Sequence, residues 1–281
     1  MTGSSAGRHS SKADGTSGNF ASVVLVTGAA SGLGRRLALD LAGRARLGLG
    51  DRNRQGLDET LSLVENAGGE GVVYPLDVTD SEQCSSFTRR MLQAYGRLDA
   101  LFLCAGLSMW ARVDEVRDVS VFSRLVEVNY LGAVYCILAA LPALKASRGS
   151  IVAVSSLQGV LGLPLHSGYA GAKHALNGFL ESLWFEVGSD VRIMTVMPGW
   201  IRGTSLRASA LTATGGPAER PREHSGESVS VEECSRRILA AWRKGKRELY
   251  IPAKLALLPW LFRLSPRLVK HLLERAVADQ R

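Results

Sequence analysis

Residues 22–43 read SVVLVTGAASGLGRRLALDLAG, an apolar run, a glycine-rich turn and the opening of a helix. The run SVVLVT ends at Thr27, the turn TGAASGLG spans Thr27–Gly34, and the helical pattern runs from Gly34 to Gly43. A glycine turn that follows a strand and opens a helix is the context a dinucleotide site requires. Gly28 permits the tight turn, Gly32 lets the backbone approach a pyrophosphate, and Gly34 lets the helix pack closely on the strand. The helix N-terminus then supplies N–H groups and a positive dipole end for phosphates. The bland alternative is a plain strand-to-helix turn, and the placement argues against it.

Short apolar runs alternate with helical patterns along the rest of the chain. RLGLG, GVVYPL, LDALFLCAG, GSIVAVSS, VRIMTVMPG and ELYIP read as further strands. Helices are expected at about 53–67, from a capping box at Asp80 and Gln83, at about 119–144, around Tyr169, and from a second capping box at Ser230 and Glu233 to Arg243. Strands alternating with helices of 10–15 residues imply βαβ units. The expected fold is one α/β domain, a Rossmann-type doubly wound parallel sheet of about seven strands. Its expected bounds are 21–252, with residues 1–20 a disordered tail, 203–228 a substrate loop that reads as mobile over about 207–227, and 253–281 a basic, apolar helical extension.

SGYAGAKHAL places Tyr169 and Lys173 four residues apart in a helical context, with Ser156 thirteen residues before the tyrosine. Residues i and i+4 share a helix face. A nearby ammonium lowers a phenol pKa by roughly 1–3 units, which makes a tyrosine useful as a general acid or base. The Ser156 hydroxyl could hold a carbonyl oxygen beside it. A tyrosine–lysine pair alone is more often a solvated helix face; together with the glycine turn the balance reverses.

The formal charge of +8 is unevenly spread, because twelve Lys/Arg and only Glu248, Glu274 and Asp279 lie from Ser235 onward. The remainder is close to neutral and carries no nucleic-acid module. No run of 18 or more apolar residues is present, so no spanning helix is expected. The polar N-terminus lacks the apolar core of a signal peptide. Cys84, Cys104, Cys136 and Cys234 have no metal-ligand spacing, and they imply reduced thiols and a cytoplasmic protein. The extension AKLALLPWLFRLSPRLVKHLLERAVADQR leaves three readings open: a lid over a lipophilic substrate, a subunit contact, or a peripheral contact with anionic lipid.

Five ordered motifs resemble the classical short-chain dehydrogenases/reductases over about residues 22–252: the turn Thr27–Gly34, Asp77 in LDVTD, Asn129 in VNYLG, the Ser156–Tyr169–Lys173 set, and Pro198-Gly199. SSLQG, YAGAKHAL and PGWI resemble the 11β-hydroxysteroid dehydrogenase and DHRS subgroup. The resemblance implies Tyr169 as acid/base, Lys173 as its modulator and ribose ligand, Ser156 as orienter of the substrate oxygen, and Asn129 as holder of a relay water. It implies a cofactor site from Gly28, Ser31, Gly32, Leu33, Gly34, Asp51, Arg52, Asp77, Val78, Cys104, Ala105, Gly106, Tyr169, Lys173, Pro198, Gly199, Ile201 and Thr204.

Three departures matter. Cys104 stands where the family has asparagine, and Thr204 comes one residue later than the family threonine. Asp51-Arg52 carries mixed signals, since the acid accepts ribose hydroxyls and favours NAD, while the arginine suits a 2′-phosphate. NAD is the expected cofactor and NADP the alternative. Trp110, Trp200, Leu157, Gln158 and Leu163 follow strand ends and are candidates for an apolar pocket; His174 reads as helix surface. The expected activity is hydride transfer between a nicotinamide cofactor and a small lipophilic ketone or secondary alcohol (steroid-, polyketide- or lipid-like), in a homodimer or homotetramer with no metal. A non-catalytic dinucleotide-binding scaffold is the alternative from another class.

Overall fold

The apolar runs become strands β1 (Ser22–Thr27), β2 (Ala45–Asp51), β3 (Glu70–Pro75), β4 (Ala100–Leu103), β5 (Ser150–Val154), β6 (Arg192–Pro198), a two-residue pair β7 (Ile201–Arg202) and β8 (Val229–Ser230), and β9 (Glu248–Ile251). The computed structural model describes residues 22–217 and 228–270. The expected N-terminal tail, the last part of the substrate loop and the end of the extension lie outside the described residues.

Seven strands form one parallel sheet in the order β3-β2-β1-β4-β5-β6-β9. Helices α1 (Gly32–Leu41), α2 (Arg54–Asn66), α3 (Ser81–Tyr95), α4 (Ser120–Val126), α5 (Gly132–Ser147), α6 (Ser167–Val187), α7 (Val231–Arg243) and α8 (Leu258–Leu264) connect and extend it. Alternation along each strand feeds two cores. Val24 and Val26 of β1 pack with Leu37, Leu57 and Ile238 from α1, α2 and α7. Val23 and Leu25 face the other way, into Phe87, Ile137 and Leu180 from α3, α5 and α6. Each such side chain contributes roughly 1.5–3 kcal/mol on full burial. The strand order reverses direction between β1 and β4, and ligands bind beyond the carboxyl ends of strands at that point in open α/β sheets.

Both N-caps form, without the reciprocal bond of a full capping box: Gln83 Oε1 accepts from Asp77 N and Glu233 pairs with Arg236 and Arg237. Asp80 Oδ1 accepts from the Glu82 and Gln83 amides at 2.9 and 3.1 Å, and Ser230 Oγ accepts from Glu233 N at 3.2 Å. All four cysteines are free thiols.

Three sequence expectations need correcting. The helix expected at 119–144 is continuous from Ser120 to Ser147 but carries a π turn at Glu127–Leu131, centred on Asn129. Such turns cluster at functional sites. This helix is also long and apolar enough to cross a bilayer. Arg124, Glu127 and Lys145 interrupt its apolar run and hid that from a search for unbroken runs. Its Ala133, Cys136, Ile137, Ala140 and Leu144 are buried in the core.

The described part of the 203–228 loop is packed. Leu211 is 2% exposed beside Met109, Val121, Leu125 and Tyr169. Leu211 N donates to Ser108 O, and Trp110 N to Leu211 O, both at 2.8 Å. Arg124 Nη1 donates to Gly215 O at 2.8 Å. A single apolar residue in a polar stretch carries no period, so this anchorage is silent in the sequence.

The extension begins against the sheet. The segment Ala253–Leu257 is a 3₁₀ turn leading into α8, and Leu255 packs on Gly199. Trp260, Phe262, Leu264 and Leu268 beyond it are exposed.

Candidate active site

α6 begins at Ser167, so Tyr169 and Lys173 occupy its first turns and point the same way. Both are buried, at 6% and 4% exposure. Ser156 follows β5 and lines the same cavity as the Tyr169 phenol, whose pKa it acts to lower. Its Oγ also accepts from Gln158 N at 3.1 Å, which fixes the hydroxyl. Lys173 Nζ donates to Val154 O at 3.0 Å and lies 5.8 Å from the Tyr169 ring centroid.

The electrostatics differ from the sequence expectation. Burial pushes the Tyr169 phenol up to about 12, and the Ser156 hydroxyl acts against it. Burial pushes Lys173 down to about 8, with Cys104 acting weakly the other way. Desolvation penalises both charged forms, and it is the largest cause of both shifts. The phenol is therefore protonated near neutral pH.

Asn129 is 1% exposed. Its Nδ2 donates to Leu107 O at 2.8 Å and Leu125 O at 3.0 Å, and its Oδ1 accepts from Leu107 N at 3.2 Å. The side chain is spent on holding the segment after β4.

The cradle for a dinucleotide adjoins these groups in the same cavity. Gly28 has φ +68°, and a Cβ there would lie 2.7 Å from Ala105 N. A Cβ on Gly34 would lie 2.2 Å from Gly28 O. The turn therefore accepts no side chain at either place. Ser31 is the N-cap of α1 but makes no side-chain cap bond, and no acid stands in the first turn. The N–H groups beside Gly32 and Leu33 are thus open to a phosphate. These features fit a dinucleotide.

The remaining expected cofactor residues line the same cavity. Asp51 Oδ2 accepts from Ala30 N at 3.2 Å and Oδ1 from Asn53 N at 2.9 Å, which holds the carboxylate beside the glycine turn. Arg52 is exposed on the rim. Asp77 Oδ1 accepts from Thr79 N at 2.9 Å, with Val78 next to it. After β4, Cys104 N and Ala105 N both donate to Thr27 Oγ1, at 3.1 and 3.2 Å, and Gly106 follows. The Thr27 hydroxyl thus ties these strand ends, and the Cys104 thiol is a quiet group pushed up to about 12 by burial. Pro198, Gly199, Ile201 and Thr204 close the far side, with Thr204 over Gly32.

Of the pocket candidates, Gln158 and Trp200 line the cavity, Trp110 packs edge-on against His166, and Leu157 and Leu163 are not among its walls. His174 lies on the helix surface. Sequence reasoning missed His166, Leu206 and Arg207 as wall residues. His166 follows Leu165, a non-glycine residue at φ +69°. That backbone is uncommon for a bulky residue and clusters at ligand sites.

A sequence model of the short chain dehydrogenase family matches residues 22–214. This chain belongs to the short-chain dehydrogenase/reductase family. Among the relatives of this short-chain dehydrogenase is an 11-beta-hydroxysteroid dehydrogenase of Pinus massoniana, 35% identical over 82% of this chain and 67% of that protein. Another is dehydrogenase/reductase SDR family member 7B of Bos taurus, 34% identical over 92% of this chain and 82% of the relative. A solved short chain dehydrogenase of Burkholderia cenocepacia in complex with NADP superposes with a TM-score of 0.74 at 25% identity, over 90% of this chain and 98% of that one. The short-chain dehydrogenase described here is thus an NAD(P)-dependent oxidoreductase near the 11β-hydroxysteroid dehydrogenase subgroup.

Proposed function

We propose that the protein transfers hydride between a nicotinamide dinucleotide and a lipophilic ketone or its secondary alcohol, with Tyr169 moving the proton. The observation that carries this reading is the buried phenol of Tyr169, which shares with Ser156 and Lys173 the cavity that also holds the glycine turn. When bound, the nicotinamide gives or takes the hydride.

Ser156 and Tyr169 together hold the carbonyl oxygen. A phenol kept protonated by burial is the form that reduction uses, since it can donate to an oxygen gaining negative charge. Lys173, held by Val154 O, places a positive charge on the same face to offset that charge and to bind the ribose. Asn129 is a positioning residue that fixes Leu107, and a relay water in this reading would be held by the main chain of its π turn. Leu107, Leu206 and Trp200 give the substrate side an apolar wall. That wall, and the name of the Pinus massoniana relative, support a steroid-like or lipid-like substrate. NAD is the preferred cofactor in this reading, because the Asp51 carboxylate is fixed beside the turn while Arg52 is solvated; NADP is the alternative. The protein works as a homodimer or homotetramer, for which exposed Leu138 and Phe185 on α5 and α6 offer apolar surface.

The test is Tyr169→Phe, which removes only the transferable proton. Dinucleotide affinity should persist while turnover over a ketone panel falls about 10²-fold or more. Near-native turnover in that variant rejects the reading.

A further inference from the structure

The apolar wall contains one charge that it has no evident use for. Arg207 follows Thr204 in the loop after β6 and lines the cavity. Its guanidinium carbon lies 4.1 Å from the centroid of the Trp200 ring. Its Nη2 is enclosed and has no hydrogen-bond partner. No acidic side chain among the described residues pairs with it. Arginine does not escape such a position by losing its proton, although burial presses its pKa down. Stacking on an aromatic ring fixes the plane of a guanidinium but does not replace hydrogen bonds to its edge.

Two further polar groups share this wall. Gln158 is 5% exposed, and its side-chain oxygen has no hydrogen-bond partner. It stands two residues from Ser156, on the reacting side of the cavity. His166 is 3% exposed, and its Nδ1–H donates to Pro164 O at 2.8 Å. Burial and the nearby Arg207 charge both press its pKa down, and it offers the guanidinium no counter-charge. Buried polar groups in folded proteins are hydrogen-bonded with few exceptions. Three such exceptions line this cavity, at Ser155 Oγ, Gln158 Oε1 and Arg207 Nη2; the last two, an unmatched acceptor and an unmatched donor of opposite sense, describe a ligand carrying the complementary pair.

We propose that Arg207 forms a carboxylate-recognition subsite with Gln158 as a second polar anchor nearer the reacting centre, and that the substrate is an amphiphilic oxo or hydroxy acid. Its carboxylate pairs with the guanidinium held on Trp200. A hydroxyl or N–H nearer the reacting carbon donates to Gln158. The apolar body of the substrate lies between them along the wall already described. The proposal rests on the oxidoreductase reading for what happens at the carbonyl, but not for binding.

The test compares a keto acid with its neutral ester on two skeletons of different size: dehydrocholate and levulinate, each against its methyl ester. The acid should bind more tightly than the ester by about ten- to a hundredfold, the range of a hydrogen bond to a charged group. Binding is read by tryptophan fluorescence in the presence of dinucleotide, since Trp200 lies under the guanidinium. Arg207→Gln should bring the acid-to-ester ratio to about one, and Arg207→Lys should restore part of it, with thermal melting as the control for folding. In steady-state kinetics the loss should fall on KM for the acid rather than on kcat. Equal binding of acid and ester in the native protein on both skeletons overturns the subsite. So does a preference that survives Arg207→Gln. If the acids bind preferentially and depend on Arg207 but none is reduced, the subsite stands and the hydride-transfer reading fails.

Discussion

The two halves of the cavity are built in opposite ways. The dinucleotide half is shaped mainly by main chain: two glycines with no room for a Cβ, an uncapped helix end, and strand-end amides held by the Thr27 hydroxyl. The substrate half is made of side chains brought from far apart in the sequence, Gln158, His166, Trp200 and Arg207. In the first half, shape is fixed before any ligand arrives. In the second, polar atoms are left for a ligand to complete. A scaffold of this kind keeps its cofactor chemistry constant while its substrate wall varies residue by residue.

The sharpest way to break the contrast is Gly34→Ala. The new methyl would overlap the Gly28 carbonyl, and neither atom belongs to a flexible side chain. Overpacking of this kind costs about 1–3 kcal/mol or more. Dinucleotide affinity should fall by roughly 100-fold or more, the 1.4 kcal/mol per factor of ten applied twice. Isothermal titration reads it, and an affinity within a few-fold of native would mean that the turn is softer than its geometry.

A second measurement addresses the buried lysine that sits between the halves. Its pKa is lowered from 10.5 to about 8, so the native state binds fewer protons than the unfolded chain between those values. The cost of burying the charge is fully present below about pH 8, and stability rises with pH up to about 10.5. A shift of this size corresponds to roughly 3 kcal/mol. Tyr169, raised from 10.0 to about 12, acts oppositely above pH 10. Urea unfolding at pH 8 and pH 9.5 should show the rise in the native protein and not in Lys173→Met.

Third, Leu211→Ala tests the substrate half. Removing a buried leucine costs 2–5 kcal/mol in a core, and about 2 kcal/mol is expected here because the loop has polar ties as well. The KM for bulky ketones should rise while dinucleotide affinity stays within about twofold. An equal loss of both would show that the halves are not independent. The smallest effect is expected for Asp51→Ala, which should shift the NAD-to-NADP affinity ratio about tenfold toward NADP, as for one hydrogen bond to a charged group. A native preference for NADP in the same titration would make Arg52 the deciding residue.

The same contrast explains what could be read from the chain. The sheet, the glycine turn and the Ser156–Tyr169–Lys173 set are legible because each depends on spacing within a short window. Asp51 and Thr204 follow from their places at strand ends. Arg207 was hidden because nothing near it in the sequence says that Trp200 will lie beneath it. The packing of Leu211 and the π turn at Asn129 were hidden for the same reason: both depend on partners elsewhere in the fold. The direction of the Tyr169 shift was misread because spacing reveals a neighbour's charge but not how completely water is excluded.

The contact of Leu255 with Gly199 gives the C-terminal extension leverage. One side chain of the 3₁₀ turn rests on the turn that closes the far side of the cavity, and Gly199 N is also tied to Ile251 O at 2.8 Å. Whatever pulls on α8, whether a second subunit, a lipid surface or a fused tag, therefore pulls on the wall of the cofactor site through a lever of a few residues. A chain ended at Pro252 and the point change Leu255→Ala should weaken dinucleotide binding alike, and the extension would then be a handle on the enzyme rather than an appendage to it.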